Sequence, residues 1–328
     1  MKIILSHNYE DLISIDNLLL AWQEFIRGKR NKKDVQMFSF NLMNNIIQLH
    51  EDLKNHTYEH GIYEQFKVSD PKPRTIHKAS VRDRLLYHAV YRILYPFFDK
   101  TFIADSFSCR NNKGTHKAIN RFSEFSYTVS QNNTKTCWVL KCDIKKFFAS
   151  IDQNILISIL DQRISDRNIV NLLKEIIFSF KPNGLPLGNL TSQLFANVYL
   201  NEFDQFVKHK LKLKFFIRYA DDFVIFSDSK KYLEYILPGI RDFLGGKLKL
   251  QLHPDKVFIK TLYSGVDFLG WVNFPDHRVL RNKTKNRMLK RIKESPKMET
   301  ISSYIGLIKH GNAVRLNLLL SNLLNGKI

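Results

Sequence analysis

The sequence predicts an α+β fold, and three patterns along its 328 residues support this class. Residues 11–60 carry apolar side chains at helical spacing, as in Phe40, Met43 and Ile46. From about residue 63 to residue 271, short apolar runs bounded by turn residues alternate with helical stretches, which is typical of strands packed with helices. After about residue 278 the sequence becomes basic and helical.

The chain is strongly basic, with 51 Lys and Arg against 31 Asp and Glu and a formal charge of +20. Such a charge indicates a polyanionic partner, either nucleic acid or an acidic membrane surface. Nucleic acid is favoured and no membrane partner is expected, because no apolar stretch approaches about 18 residues and the first residues do not resemble a signal peptide. Three cysteines without a CxxC pattern favour a reducing cytoplasm over a disulfide framework or a zinc ribbon.

The predicted strands follow one another along the chain. "YEQFKVSDPKPRTIHKA" predicts a strand, a Pro-containing turn and a second strand, before the helical run "VRDRLLYHAVYRILYPFF". "TCWVLKCDI" predicts a strand that ends in Asp143, followed by helices near 153–180. "FFIRYA" and "FVIF" predict a hairpin with Asp221 and Asp222 at its tip.

These acidic residues suggest a metal-dependent site. If the strand ending in Asp143 lies beside the hairpin, three carboxylates converge at one sheet edge, which is costly unless cations neutralise them. Mg²⁺ prefers carboxylate and phosphate oxygens, and two such ions about 3.5–4 Å apart can clamp the attacking and leaving oxygens of an in-line displacement. The pattern therefore predicts nucleotidyl transfer. Alone, a pair of Asp in a turn is more often solvated turn chemistry.

The surrounding motifs resemble those of the reverse transcriptase family, in order, over nearly the whole chain. The strand ending in Asp143 and "RYADD" resemble motifs A and C, "GLPLGNLTSQLFANVYLNEFD" motif B, "HPDKVFI" motif D and "GVDFLGWV" the primer grip. The resemblance implies a right-hand polymerase fold. Its expected parts are fingers with an N-terminal helical extension (1–136), a palm with a ferredoxin-like sheet (137–276) and a helical thumb (277–328). The palm range can also contain an inserted part of the fingers.

The resemblance also implies roles for residues at matching positions. Expected to be catalytic are Asp143, Asp221 and Asp222, which with Ile144 would hold two Mg²⁺ ions, for which Mn²⁺ can substitute. Expected to bind the dNTP are Lys72, Arg74, Phe148, Leu187, Gly188 and Lys256. Expected to bind template or primer are Arg82, Arg84, Ser192, Gln193, Gly265, Phe268, Leu269, Gly270, Arg281, Lys285 and Arg287.

Several of these roles have a physical rationale. The ring of Phe148 would act as a steric gate against a 2′-hydroxyl, so DNA is the expected product. Arg74 offers a bidentate fork for the triphosphate, with Lys72 as second ligand. Lys256 would act as general acid near the leaving pyrophosphate. Arg82 and Arg84 suit a structural role as well as a template contact, whereas the basic run 278–293 would follow the duplex backbone.

Motif B departs from most reverse transcriptases, which have Gln in place of Leu187 and Ser-Pro in place of Ser192 and Gln193. "LGNLTSQ" instead resembles the (I/L/V)GxxxSQ signature of diversity-generating retroelement reverse transcriptases, which copy a repeat RNA with frequent errors at adenines. Replacing an amide by Leu removes hydrogen-bonding capacity beside the nascent pair, so base selection would depend more on shape. Alternatively, Leu187 only packs under its loop.

The expected function is therefore an RNA-directed DNA polymerase that is error-prone at template adenines. Its expected partners are template RNA, a DNA or RNA primer, dNTPs, and an accessory variability protein or structured RNA. Two alternatives stay open. One is the same chemistry in a retron, a group II intron-like element or a phage-defence system; the other is a maturase-like RNA-binding protein without catalysis. Neither an RNase H domain nor a zinc-containing endonuclease is expected.

Overall fold

A computed structural model of the protein describes residues 3–69, 73–294, 297–312, 316–318 and 320. Its helices are α1 (Tyr9–Ile13), α2 (Ile15–Phe25), α3 (Lys33–Phe40), α4 (Leu42–Lys54), α5 (Val81–Asp99), α6 (Thr115–Val129), α7 (Phe147–Ser150), α8 (Gln153–Asp161), α9 (Arg167–Phe178), α10 (Leu190–Gln205), α11 (Lys230–Leu248), α12 (Asn282–Glu294) and α13 (Met298–Ile308). Its strands are β1 (Glu64–Val68), β2 (Arg74–Lys78), β3 (Trp138–Asp143), β4 (Phe216–Tyr219), β5 (Asp222–Ser227), β6 (Phe258–Thr261), β7 (Val266–Phe268), β8 (Trp271–Asn273) and β9 (Arg278–Leu280).

The chain divides into two units that are built from alternating segments. Unit 1 comprises Met1–Ala104, Ile144–Lys210 and Arg241–Gln251, and unit 2 comprises Asp105–Asp143, Leu211–Ile240 and Leu252–Ile328. This division follows compactness and does not test the predicted boundaries near residues 136 and 276, which stay predictions.

Unit 1 contains the helical opening that the sequence predicts. Ser14 caps α2 by accepting a hydrogen bond from the backbone N–H of Asn17 at 3.2 Å, and α2 packs against α4 and α5 through an apolar stripe that includes Trp22. The apolar periodicity around residue 40 does not form one continuous helix, because the chain breaks at Asn41 between α3 and α4. Phe40 is consequently 96% exposed.

Unit 1 also contains the predicted strand–turn–strand, which forms the antiparallel pair β1–β2. The helix after it is α5, whose N-cap residue Ser80 accepts a hydrogen bond from the backbone N–H of Asp83 at 3.1 Å. Helix α10 packs against α5 and α8. The expected helical and extended segments of this region are thereby confirmed.

Unit 2 is organised around a four-stranded antiparallel sheet with the strand order β4-β5-β3-β6. Along the chain, helices separate β3 from β4, a two-residue turn joins β4 to β5, and α11 precedes β6. This order and connectivity are those of a ferredoxin-like βαββαβ unit, which confirms the predicted palm sheet.

A hydrophobic cluster fills unit 2. One face of the sheet contributes Val139, Val224 and Phe226, against which the rings of Phe122 on α6 and Phe268 on β7 pack. The three-stranded sheet β7-β8-β9 and helices α12 and α13 add to the same cluster. The expected start of a basic helix near residue 278 is wrong, because residues 278–280 pair with β8 and α12 begins only at residue 282.

None of the helices in the described ranges is long and apolar enough to cross a membrane.

Glycine is required at residue 184, where the backbone has a φ of +85° and an added Cβ would lie 2.5 Å from the carbonyl oxygen of Phe148. We expect Gly184→Ala to lower the free energy of unfolding by on the order of 3 kcal/mol, because strain and backbone overlap add. Urea unfolding measures this loss. The matched control is Gly245→Ala in α11, which meets nothing within 4 Å and should raise stability by about 0.5–1 kcal/mol. Equal effects of the two changes on stability would contradict the requirement for glycine at residue 184.

Candidate active site

The acidic residues of motifs A and C meet at the end of the β3–β5 pair. Asp143 is the last residue of β3 and lies directly opposite Asp222, the first residue of β5. Tyr219 is paired with Asp222 across the hairpin, so the connecting loop is Ala220 and Asp221 alone. The prediction that both hairpin acids lie at the tip is therefore wrong for Asp222, which belongs to the strand. The predicted convergence of β3 with the hairpin is confirmed.

Two lysines neutralise the facing carboxylates. Like charges directly opposite each other destabilise an antiparallel pair. The ammonium of Lys256 donates to Oδ1 of Asp143 at 2.8 Å, and that of Lys141 lies 3.4 Å from Oδ2 of Asp222. Lys256 is brought there by the turn at 254–256, because the backbone N–H of His253 donates to the carbonyl of Asp143 at 2.7 Å. The structure thus places Lys256 beside a predicted catalytic carboxylate.

Asp222 is the most strongly perturbed acid of the site. Burial raises its pKa to about 7, and the negative charges of Asp143 and Asp221 act in the same direction against the opposing charge of Lys141. Its Oδ1 atom is buried and has no hydrogen-bond partner. A buried, unpartnered carboxylate oxygen beside a second carboxylate fits a hard divalent cation.

The carboxylates do not form a complete metal cage by themselves. Among the described residues, no three Asp, Glu, His or Cys side chains converge closely enough to hold an ion. A cation bound by Asp143 and Asp222 would need further ligands, and Mg²⁺ usually takes such ligands from water and substrate phosphates. The predicted participation of Asp221 and of Ile144, which is buried and directly follows Asp143, stays a prediction.

A buried arginine that the sequence analysis did not select supports the hairpin loop. Arg218 on β4 is fully buried; its Nη1 donates to the carbonyl of Ala220 at 3.2 Å and its Nη2 to Oγ of Ser106 at 3.1 Å. Ala220 has a φ of +53°, an uncommon conformation for a residue with a side chain. A charged residue inside the apolar run "FFIRYA" is the signal that could have identified Arg218.

In unit 1, the residues predicted to contact the dNTP lie on β2 and on the loop before α10. The backbone N–H of His77 on β2 donates to the carbonyl of Leu187 at 3.0 Å, and Gly188 has a φ of +108° with no room for a Cβ beside Ile76. The N–H of Leu185 donates to the carbonyl of Phe148 at 2.7 Å. The structure therefore brings Phe148, Leu187 and Gly188 together with β2. Their contact with a nucleotide stays a prediction.

Three residues of unit 1 that were predicted to bind template or primer are either paired with a carboxylate or buried. Arg82 pairs with Asp52 at 2.6 Å and Arg84 with Asp34 at 2.5 Å, which supports their structural alternative. Ser192 is only 2% exposed, so its predicted template contact has no structural support.

The remaining predicted contacts of unit 1 differ in accessibility. Arg74 is exposed at the start of β2, and Gln193 is half-buried on α10. Lys72 lies outside the described residues.

The predicted primer grip is the β7–β8 hairpin of unit 2. Leu269 and Gly270 form its two-residue turn with φ values of +51° and +87°, as a type I′ hairpin requires, and Gly265 precedes β7 with a φ of +76°. Phe268 is fully buried and packs in the core, so its predicted nucleic-acid contact has no structural support. Arg281 pairs with Asp267 at 2.9 Å.

The cationic face of α12 is confirmed as a surface. Met288 and Ile292 are the buried residues of this helix, whereas Lys285 and Arg287 are exposed. Exposed cations of this kind can face a polyanion, although their contact with template or primer stays a prediction.

Comparison with known proteins identifies the family. The family of reverse transcriptases (RNA-dependent DNA polymerases) matches residues 66–272, more than half of the chain. The chain belongs to the reverse transcriptase family. This membership confirms the predicted family, and reverse transcriptases generally use divalent metal ions.

Two curated proteins are similar to this chain, and one of them is a group II intron-encoded protein. YkfC from Escherichia coli strain K12 is 28% identical over 258 residues, covering 66% of this chain and 66% of YkfC. The group II intron-encoded protein LtrA from Lactococcus lactis subsp. cremoris is 24% identical over 293 residues, covering 67% of this chain and 47% of LtrA. The chain thus spans about two thirds of one relative and about half of the other.

Solved structures of another reverse transcriptase type show the same fold. Apo telomerase from Candida tropicalis matches with a TM-score of 0.53 at 12% identity, covering 69% of this chain and 49% of that chain. Telomerase from Candida albicans, in complex with a fragment of telomeric RNA, gives 0.51 at 12% identity, covering 70% and 46%. At such low identity the likeness concerns the fold, and it agrees with the predicted right-hand polymerase.

The raised pKa of Asp222 predicts how its ionisation affects the stability of this reverse transcriptase. Between the ordinary value of 3.8 and about 7, the folded chain keeps a proton that the unfolded chain loses. This contribution to stability therefore falls as pH rises through that window and stays unfavourable above it. We expect Asp222→Asn, in chelator, to raise the free energy of unfolding by on the order of 3 kcal/mol near pH 8 and by little near pH 4.

Denaturant unfolding at about pH 4 and about pH 8 measures this difference. The control is Asp255→Asn, because Asp255 is 86% exposed and should change stability little at either pH. A gain for Asp222→Asn that is the same at both pH values would contradict the ionisation argument.

Proposed function

We propose that the chain is an RNA-directed DNA polymerase that extends a primer along an RNA template by two-metal nucleotidyl transfer. The observation that carries this proposal is the direct cross-strand pairing of Asp143 with Asp222, with Asp221 in the adjoining two-residue loop, inside the region that matches the family. Mg²⁺ is the proposed ion, with Mn²⁺ able to replace it, because the donors are carboxylate oxygens.

The residues of the site suit the steps of this reaction. Two bound Mg²⁺ ions would supply activation of the primer 3′-hydroxyl and compensation of the charge on the leaving pyrophosphate. Asp143, Asp221 and Asp222 would hold them, and the unpartnered Oδ1 of Asp222 would be one of the ligand atoms. The ammonium of Lys256 lies 2.8 Å from Asp143, and Lys256 is the proposed general acid that would protonate the leaving pyrophosphate.

A DNA product is proposed from Phe148. Its backbone carbonyl accepts a hydrogen bond from the N–H of Leu185, and its ring packs edge-on against that of Phe147 with 5.4 Å between the centroids. The ring of Phe148 is half-buried, whereas Phe147 lies in the core. A ring fixed beneath the incoming sugar excludes a 2′-hydroxyl. Arg74, exposed on β2, is the proposed triphosphate ligand.

We further propose that synthesis is error-prone at template adenines, as in a diversity-generating retroelement. The support comes from Leu187 and the "LGNLTSQ" pattern. The carbonyl of Leu187 is bound by His77, so the backbone position is fixed while the side chain is half-buried and offers no hydrogen bond to a base. An accessory variability protein or a structured RNA is the proposed partner for priming and template choice.

A second candidate function is that of a group II intron-like element, either as its polymerase or as a maturase-like RNA-binding protein without catalysis. It is favoured by the similarity to the group II intron-encoded protein LtrA. Primer-extension activity distinguishes the polymerase from the RNA-binding protein without catalysis. The presence of near-identical repeats differing at adenines in the flanking DNA separates the retroelement from the intron.

Primer extension on an RNA template tests the polymerase. We expect the parent to extend a DNA primer with dNTPs and Mg²⁺, and Asp143→Asn, Asp221→Asn and Asp222→Asn each to lower the rate at least about a hundredfold, because each removes a metal ligand or its charge. Asp255→Asn, at an exposed position of the same turn as Lys256, is the control and should keep the parental rate. A parent without synthesis would leave the non-catalytic maturase as the better interpretation.

Sequencing of the cDNA tests the fidelity proposal. We expect Leu187→Gln to lower misincorporation opposite template adenines about two- to tenfold, because the amide restores a hydrogen-bonding group beside the nascent pair. Leu187→Met is the matched control, since it keeps an apolar side chain of similar volume and should keep the parental error spectrum. An unchanged adenine error rate in Leu187→Gln would rule out a direct role.

A further inference from the structure

Lys141 connects the catalytic edge of β3 to the second sheet of unit 2. Lys141 lies two residues before Asp143 and therefore on the same face of β3. Its ammonium donates to the backbone carbonyl of Asp267 on β7 at 2.8 Å and lies 3.4 Å from Oδ2 of Asp222. The side chain is only 13% exposed, so its charge depends on these acceptors.

The connection continues from β7 to the start of α12. Oδ2 of Asp267 accepts a hydrogen bond from Nη1 of Arg281 at 2.9 Å. The backbone N–H of Arg281 donates to the carbonyl of Gly270 in the β7–β8 turn at 3.0 Å. Asp222, Lys141, Asp267 and Arg281 thus form a continuous polar line within unit 2.

Three polar atoms along this line make no hydrogen bond. Oδ1 of Asp222, Oδ1 of Asp267 and Nε of Arg281 are buried and have no hydrogen-bond partner. The side chain of Arg281 is 43% exposed just before a cationic helix, so its guanidinium suits a phosphate oxygen, which it would bind by a charge-assisted hydrogen bond. The exposed cations of α12 that follow are Lys283, Lys285, Arg287, Lys290, Arg291 and Lys293.

We propose that Lys141 is a positioning residue that couples the catalytic carboxylate of Asp222 to a primer-binding edge formed by Asp267 and Arg281. This inference rests on the proposed polymerase function. A primer phosphate bound at Arg281 fixes Asp267, and Lys141, held on the carbonyl of Asp267, then holds the carboxylate of Asp222 in one orientation. Because such coupling is reciprocal, loss of Lys141 also loosens β7 and weakens primer binding.

Lys256 provides a matched comparison. It is a lysine of the same site, and it donates to the catalytic carboxylate of Asp143 at 2.8 Å. Among the contacts of the described residues, its ammonium makes no bond to β7 or to Arg281. Both lysines are cations in contact with a proposed catalytic carboxylate, but only Lys141 also contacts the primer-binding edge.

The first experiment measures primer–template affinity in chelator, where no catalysis occurs. We expect Arg281→Met and Lys141→Met each to raise Kd by at least about fivefold, and the double variant to be no weaker than Arg281→Met alone, because both remove the same connection. Lys256→Met should leave the parental Kd unchanged, and adding it to Arg281→Met should leave the Kd of that variant unchanged as well. Fluorescence anisotropy with a labelled primer on an RNA template gives these values at fixed salt.

Additivity decides the outcome of this cycle. If the Kd changes of Lys141→Met and Arg281→Met multiply in the double variant, or if Lys141→Met binds like the parent, the coupling is overturned. Asp267→Asn is the second variant in case Lys141→Met does not fold, because it keeps the backbone carbonyl that Lys141 uses and removes only the charge that Arg281 needs. It should raise Kd in the same direction as Lys141→Met, and a parental Kd for Asp267→Asn would overturn the coupling.

The second experiment measures the single-turnover extension rate at saturating primer–template and Mg²⁺. We expect Arg281→Met and Asp267→Asn, although distant from the reacting atoms, to lower this rate at least about fivefold, and Lys141→Arg to retain more activity than Lys141→Met. Full parental rates in Arg281→Met and Asp267→Asn would overturn the link to Asp222. A parent without any synthesis would instead refute the proposed function, while the binding cycle would still decide whether Lys141 and Arg281 are coupled.

Discussion

The register of β3 against β5 is the constraint on which the rest of the site depends. It places Asp143 opposite Asp222, and a slip of one residue would move every side chain of one strand to the other face of the sheet. The register is fixed by burial, because Val139 and Phe226 are paired further along the same face and both lie in the core of unit 2. Packing of apolar side chains at one end of the strands thereby aligns the carboxylates at the other end.

This arrangement has an electrostatic cost that the chain itself offsets. Facing carboxylates repel each other, and burial raises the pKa of Asp222. Lys256 and Lys141 reach the two acids from the turn before β6 and from β3 itself. The charges of the two lysines therefore offset the repulsion between the facing carboxylates within the protein itself.

The sequence predicted the parts of this site that depend on neighbours along the chain. A strand that ends in Asp143, a hairpin around Asp221 and Asp222, and the β1–β2 pair all follow from short apolar runs and turn residues. The contact of Lys141 with Asp267 could not be predicted, because 126 positions separate the two residues and the acceptor is a backbone carbonyl. Every residue has a backbone carbonyl, so no side-chain pattern in the sequence predicts which one accepts the hydrogen bond.

Burial was likewise decided by tertiary packing rather than by local pattern. Phe268 lies in a motif that suggests nucleic-acid contact, yet its ring packs on Phe122, whereas Phe40 has helical spacing and is almost fully exposed. Arg82 and Arg84 illustrate the same limit, since their carboxylate partners come from helices earlier in the chain. Spacing gives the type of element, and the partner elements decide which of its faces is covered.

The backbone of the loop from 184 to 188 is constrained independently of the side chain at position 187. Its backbone is fixed by bonds to Phe148, Ile151 and His77, and by glycines with positive φ at both ends. None of these constraints involves the side chain of Leu187. The backbone of the loop can therefore keep its shape while residue 187 changes between an apolar side chain and an amide, which is the change that its proposed role beside a nascent base pair would require.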